Sequence, residues 1–306
     1  MKPARALARL ASRLRRPVPA PATPAPPHLA FEPGHFYSPI VDKVALAAQR
    51  ERIWPARPAV AGIDFNDEGH RRVLVESFPR FMHEYDYPEH APPGDPFAYY
   101  TQNSQFSWLD ARALFVLLRA WRPRTVIEVG SGFSSLLIAD VNRRFLDGAV
   151  DFTCIEPYPR EFLERGVPGI SRLLVREVQQ VPSEEFRRLR EGDILFIDSS
   201  HVAKTGSDVN HLLFDILPAL APGVHIHVHD IFLPLDYPQD WVLGENRSWN
   251  EQYVLRALLM YAGATFRVEF GCSYAFHAFP DLVKNALAHP KGHAFAGGSF
   301  WFTKLA

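Results

Sequence analysis

Three stretches of this 306-residue chain bring together residue types that do chemistry. The first is Glu128-Val129-Gly130-Ser131-Gly132-Phe133-Ser134-Ser135. Its glycines let backbone approach a ligand closely, and a helix opening behind them offers unpaired N–H groups. A second acid, Glu156, is placed where a carboxylate accepts hydrogen bonds from ribose hydroxyls. The other two stretches are Asp198-Ser199-Ser200-His201 and His225-Ile226-His227-Val228-His229-Asp230. An imidazole beside a carboxylate is a general-base arrangement, so His201, oriented by Asp198 or Asp230, is a candidate to deprotonate a hydroxyl. The bland alternative is that these histidines hydrogen-bond within a sheet edge.

The surrounding pattern says what must hold these residues. Thr125–Val129 is a short β-branched, apolar run ending at Gly130, which reads as a buried strand. Asp151–Ile155, Arg172–Val175, Asp193–Ile197 and Val224–Val228 read as four more, and Thr265–Phe270 and Ser299–Thr303 as the last two. Leu109, Ala113, Leu114, Leu117 and Leu118 mark a helix before the first strand, with Ser107 and Asp110 as a capping-box-like start. Val209, Leu212, Leu213, Ile216, Leu217 and Leu220 mark another, opened by Ser207 or Asp208 and stopped by Pro222-Gly223. Ser248 and Glu251 form an S-x-x-E box opening a helix through Tyr253, Leu255, Leu258 and Leu259. Strands alternating with helices predict an α/β fold with a doubly wound, mostly parallel seven-stranded sheet. Ligands in such sheets bind beyond the carboxyl ends of the strands, where all three stretches fall. His225, His227 and His229 share one strand face, yet a strand interior buries its early positions. His229 is therefore expected to reach the crevice and His225 to pack. Trp249-Asn250-Glu251 fits the wall of an acceptor pocket as well as a helix start.

The glycine turn is similar to the first motif of the class I S-adenosylmethionine-dependent methyltransferases, in which an acid precedes Gly-x-Gly on the same strand and turn. The resemblance covers roughly residues 105–306 and implies a Rossmann-like methyltransferase fold with an antiparallel last strand. It implies that Glu128 lies near the amino acid part of the cofactor and that Gly130, Ser131, Gly132, Ser134 and Ser135 shape the turn beneath it. Glu156 would take the ribose hydroxyls, Gln179 would lie near adenine, and Asp198 would border the cofactor. The cluster also resembles that of the metal-dependent catechol and macrolide-sugar O-methyltransferases, where an acid after strand four and an acidic pair after strand five hold magnesium. Asp198 and Asp230 match two of those positions and His229 replaces the third, which implies a softer divalent metal if one is held by Asp198, His229 and Asp230. The implied activity is methyl transfer from S-adenosylmethionine to a small-molecule hydroxyl. An NAD(P)-dependent oxidoreductase is the competing enzyme class, but its fingerprint needs Gly or Ala where Ser135 stands. A non-catalytic cofactor-binding module is the third reading.

Composition bounds the rest. With 33 Lys+Arg against 34 Asp+Glu the net charge is −1, which argues against a nucleic-acid partner. That neutrality is an average: residues 1–30 hold six basic and no acidic residues, leaving 27 basic against 34 acidic beyond them. Leu7, Leu10 and Leu14 recur at helical spacing among those bases, and six prolines lie between Pro17 and Pro27. Residues 1–30 are thus expected to be a disordered tail that could touch a membrane surface or a partner. Residues 31–105, rich in aromatics, are expected to cap the acceptor, and 106–306 to form the methyltransferase domain. Two cysteines make no disulfide framework, and no apolar run reaches the ~18 residues of a membrane span. With no secretory signal visible, the expected location is cytoplasmic.

Overall fold

The computed structural model describes residues 30–56, 58–59, 61–287 and 297–306. The tail expectations fall on residues 1–29, outside the described residues. The chain divides into two compact units, Met1–Val41 and Asp42–Ala306. Within the described part of the first, Gly34 N–H donates to Ile40 O at 2.9 Å. The rings of Phe31 and His35 stack there at 4.7 Å.

The second unit is built on the expected sheet. Its strands are β1 (Thr125–Val129), β2 (Asp151–Ile155), β3 (Arg172–Leu174), β4 (Ile194–Ile197), β5 (His225–Val228), β6 (Phe266–Gly271) and β7 (Phe300–Lys304). They are ordered β3-β2-β1-β4-β5-β7-β6. The sheet is parallel from β3 to β5, and β7 runs antiparallel to both neighbours. Strand edges differ from the sequence reading by a residue from β3 onward. Asp193, expected to open β4, instead stands just before it and accepts N–H bonds from Arg124, Thr125 and Arg190. The strand-order reversal lies between β1 and β4, which is where a doubly wound sheet opens its ligand crevice.

Among the described residues, seven helical segments run for seven residues or more. They are α1 (residues 67–81), α2 (Trp108–Trp121), α3 (Phe133–Phe145), α4 (residues 208–219), α5 (Glu251–Tyr261), α6 (Cys272–Ala278) and α7 (Pro280–Leu287). Both α1 and α4 widen into π turns, at Val73–Ser77 and His211–Ile216. Each π turn is followed closely by a proline, Pro79 or Pro218, whose missing N–H interrupts the i→i−4 ladder. Alternation along the strands feeds two cores. Val126, Phe152 and Phe196 pack with Leu114, Leu117 and Leu118 of α2 and Leu137 of α3. Ile127, Leu195, Ile197 and Ile226 pack with Leu212, Leu213 and Ile216 of α4 and Leu255 of α5. Each fully buried side chain of this kind contributes about 1.5–3 kcal/mol, so strand register is strongly specified.

Residues 42–105 belong to the same compact unit as the sheet. Their contacts with it are polar as well as apolar. Asn66 Nδ2 donates to Val268 O at 2.8 Å, and Phe65 stacks on Tyr274 at 4.1 Å. His70 is buried, with Nε2 accepting from Gly271 N at 2.8 Å. Trp54 Nε1 donates to Tyr237 O at 2.7 Å. Among the described residues no helix is long and apolar enough to cross a membrane.

Candidate functional site

The glycine turn sits on the carboxyl edge of β1. Gly130 N donates to Ile155 O and Asp198 N donates to Val129 O, so the ends of β1, β2 and β4 are tied edge to edge. Gly130 adopts φ 79°, and a Cβ there would stand 1.8 Å from the Asp198 carbonyl oxygen. Only glycine allows this approach. Gly132 is different: a Cβ there would meet nothing closer than Gln105 Oε1 at 3.9 Å, so the space above the turn is open.

Glu128 lies beneath that turn and is fully buried. Ser134 Oγ donates to its Oε1 at 2.7 Å, and Ser135 Oγ donates to Oε2. Ser135 Oγ also accepts from Gly132 N at 2.9 Å. The serine that breaks the dinucleotide fingerprint is therefore the link between the turn and Glu128. Burial pushes the Glu128 carboxyl up to about 7, against the opposing hydrogen bonds from Ser135 and Ser134. Ser131 N donates to Glu156 Oε2 at 3.1 Å, and Tyr158 N donates to Oε1 at 2.8 Å, so Glu156 is held beside the glycine turn. Gln179 is exposed, with its Nε2 donating to Gly206 O at 3.0 Å.

The β4 and β5 ends converge on one polar cluster. Asp198, His201 and Asp230 have ligand atoms within 4.8 Å of one another. His201 Nε2 stands 3.4 Å from Asp198 Oδ1 and 3.5 Å from Asp230 Oδ2. His229 lies against the same carboxylates, with Nδ1 3.5 Å from Asp198 Oδ1 and 3.7 Å from Asp230 Oδ1, and Nε2 3.4 Å from Asp110 Oδ2. The compact triad is Asp198, His201 and Asp230, while His229, of the expected ligand group, turns Nδ1 toward the same two carboxylates and Nε2 toward Asp110. His201 and Asp230 both adopt left-handed backbone, at φ 61° and 57°. Such strain at non-glycine positions gathers where a fold fixes functional side chains. A Cβ on Gly298 would stand 2.8 Å from Asp230 Cα, so glycine lets the approach to β7 close over this corner.

Two residues read from sequence as helix caps belong instead to this site. Neither Ser107 nor Asn250, the N-cap residues of α2 and α5, makes a side-chain cap. Glu251, expected to complete a box with Ser248, accepts from Ser199 Oγ and pairs through Oε2 with His201 Nδ1 at 3.0 Å. The His201 carbonyl takes over the capping, accepting from Asn250 N and Glu251 N at 3.0 and 3.2 Å. Asp110 likewise turns away from its helix end, accepting from Gly298 N and Ser299 N at 3.0 and 2.7 Å while facing His229. Trp249, just before α5, lies against His201 with ring centroids 4.3 Å apart and the rings tilted by 36°. The earlier histidines of β5 pack: His225 against Trp121 at 3.8 Å, and His227 against Phe196 at 3.7 Å.

Four carboxylates surrounding two imidazoles fix the electrostatics. Burial lowers the His201 pKa, but Asp198 and Glu251 outweigh it and hold the group at about 10. Burial opposes the proton on His229 too, and Asp230, Asp198 and Asp110 outweigh it, leaving its pKa well above the imidazole range. Burial pushes Asp198 up, yet His229 and His201 hold it well below the carboxylate range. For Asp230 and Glu251 burial wins, and both are raised. With its four carboxylates ionised the cluster carries more negative than positive charge even when both imidazoles are protonated, an arrangement that favours an added cation.

The glycine turn, the strand-end acid and the polar cluster all lie at the switch point of a Rossmann-like sheet, where such folds bind ligands. A family profile described as "Methyltransferase domain" matches residues 127–231. An uncharacterized protein of Archaeoglobus fulgidus is 38% identical over 168 residues, which span 54% of this chain and 76% of that protein. By these matches residues 127–231 carry a methyltransferase domain, and the chain is a relative of the archaeal protein. Looser structural likenesses include the O-methyltransferase TomG of Streptomyces achromogenes, in complex with SAM, at TM-score 0.39 and 18% identity over 80% of this chain and 92% of that one. The SAH-bound methyltransferase PaMTH1 of Podospora anserina gives 0.39 and 16% over 86% and 95%.

Proposed function

We propose that the protein transfers the methyl group of S-adenosylmethionine to a hydroxyl oxygen of a small molecule at the Asp198–His201–Asp230 cluster. The observation that carries this reading is the position of His201. Its Nδ1 is fixed by Glu251 and its Nε2 faces two carboxylates on the strand edge that also bears the glycine turn. The cofactor lies over Gly130 and Gly132, where the open side of Gly132 leaves room, with its ribose hydroxyls on Glu156. Glu128 acts from below, through Ser134 and Ser135, by holding the turn rather than touching the ligand.

A sulfonium methyl is already activated, so the protein's task is to align acceptor oxygen, methyl carbon and sulfur in line. The C–O bond forms as the C–S bond breaks, and the hydroxyl proton must leave. Asp230 is suited to take it, because burial raises its carboxyl. In the metal-free site His201, held at about 10, is an imidazolium at neutral pH and supplies positive charge beside the developing alkoxide; a bound cation would displace that proton and take over the charge. The expected role of His201 as the resting base therefore passes to Asp230, with His201 as its electrostatic partner. The donor set also fits a divalent ion, held by Asp198, His201 and Asp230, which would supply Lewis-acid stabilisation of the same alkoxide. Residues 42–105 and the aromatic group of Trp249, Trp241 and Tyr237 cover the acceptor side.

The test is formation of S-adenosylhomocysteine from S-adenosylmethionine with separate panels of phenols, catechols, sugars and amines. Product that depends on a hydroxyl acceptor is expected. Methylation confined to the amines would overturn the oxygen-directed reading.

A further inference from the structure

Building on that reading, we infer that the cation site is a mixed nitrogen–oxygen site, with His201 Nε2 as a ligand and Glu251 as the positioning residue that aims it. Metal-bound histidines commonly donate their second ring N–H to a carboxylate, which fixes tautomer and ring direction and raises the basicity of the ligating nitrogen. His201 has that arrangement ready: Nδ1 lies 3.0 Å from Glu251 Oε2, and Ser199 Oγ, donating at 2.9 Å, holds the same carboxylate. Glu251 is buried on the first turn of α5 and has no other polar side-chain neighbour within hydrogen-bonding distance among the described residues.

The other ring nitrogen is what the carboxylates face. His201 is itself buried, and its Nε2 stands 3.4 and 3.5 Å from one oxygen each of Asp198 and Asp230, too far for strong charge-assisted hydrogen bonds. That spacing suits a shared ion: metal–ligand bonds of about 2.1 Å put neighbouring ligand atoms roughly 3.0–3.4 Å apart. Trp249 packed at a tilt against the buried imidazole, together with the Glu251 contact at Nδ1, leaves the ring little freedom to turn away. A neutral imidazole among two carboxylates favours Mn²⁺, Fe²⁺, Co²⁺ or Zn²⁺ over Mg²⁺, which prefers oxygen and retains its water.

The test uses Mn²⁺ bound to the full-length protein, read by pulsed EPR for nitrogen-14 modulation and by calorimetry against Mg²⁺. Wild type should show the modulation and bind Mn²⁺ at least ~tenfold more tightly than Mg²⁺. His201→Asp should still bind Mn²⁺ while losing the modulation and most of that preference. Glu251→Gln should keep the modulation and lose Mn²⁺ affinity by about tenfold or more, with circular dichroism unchanged. Bound Mn²⁺ without modulation in wild type, or modulation that survives His201→Asp, would overturn the assignment. Wild-type affinity in Glu251→Gln would remove its positioning role. A protein that binds S-adenosylmethionine but no Mn²⁺ sinks this inference and leaves methyl transfer standing; failure to bind the cofactor sinks the methyltransferase reading instead.

Discussion

Replacing each turn glycine by alanine should separate folding from ligand binding. At Gly130 the new Cβ would meet the Asp198 carbonyl at 1.8 Å, and φ would remain at 79°. An ordinary carbon–oxygen contact is about 3.3 Å, so roughly 1.5 Å must be recovered by moving the β4 end away from β1. The left-handed backbone alone costs about 1–2 kcal/mol in an L-residue, and the displacement adds a comparable amount. A total of about 3 kcal/mol corresponds to a Tm lowered by roughly 6–12 °C for a domain of this size. Because Asp198 moves with the strand end, cofactor affinity should fall along with Tm. Gly132→Ala has no such clash within the protein, its nearest neighbour being Gln105 Oε1 at 3.9 Å. It should leave Tm within about 2 °C, since surface changes without a packing conflict fall near ±0.5 kcal/mol. S-adenosylmethionine affinity should nevertheless drop, because the methyl group enters the cofactor's space. Differential scanning calorimetry and isothermal titration measure both quantities. Unchanged Tm in Gly130→Ala would refute the packing argument, and wild-type affinity in Gly132→Ala would refute the placement of the cofactor.

Other outcomes follow from single residues. His201→Ala should reduce turnover severely while leaving S-adenosylmethionine affinity nearly intact, and parallel losses of both would mark His201 as structural. Asp193→Ala strands three backbone N–H groups, those of Arg124, Thr125 and Arg190, and should cost about 3 kcal/mol in chemical denaturation. His70 must stay neutral, because its Nε2 accepts from Gly271 N while Nδ1 lies 3.2 Å from Asn66 O as donor. Burial, only partly offset by Asn66 and Asp67, lowers its pKa from 6.5 to about 4. Since the unfolded state binds the proton more readily, this contribution is complete above pH 6.5 and is lost as pH falls toward 4, up to roughly 3 kcal/mol. Denaturation of wild type and His70→Gln across pH 4.5–7 should show a steeper acid loss in wild type. Equal slopes would contradict it.

The parallel core of the fold was legible because the strands are short apolar runs ended by Gly130, Asp198 and Asp230, and because α4 and α5 carry long leucine faces. The site was legible wherever its residues follow a strand. Asp110 and Glu251 were not, and the reason is specific: an acid three residues after a serine at a helix start has the pattern of a cap. Here the His201 carbonyl caps α5 and leaves Glu251 to the imidazole, while Asp110 turns from its helix end to the approach to β7 and to His229. Only a long-range contact distinguishes the two uses, since Glu251 lies 50 residues from His201 and Asp110 is 188 from Gly298. The same holds for the place of His201 beside His229. The period-two rule put His229 on the crevice face, where it meets Asp198 and Asp230, but only the turn at His201, with its left-handed backbone, brings a second imidazole onto the same carboxylates.

Everything proposed here depends on one ligand. Calorimetric titration of the folded protein with S-adenosylmethionine, and separately with NAD⁺ and NADP⁺, tests that dependence most directly. Saturable binding of one S-adenosylmethionine per chain is expected, weakened by Glu156→Ala, with no heat from either dinucleotide. Binding of a nicotinamide cofactor, or no S-adenosylmethionine binding by protein shown to be folded, would contradict it.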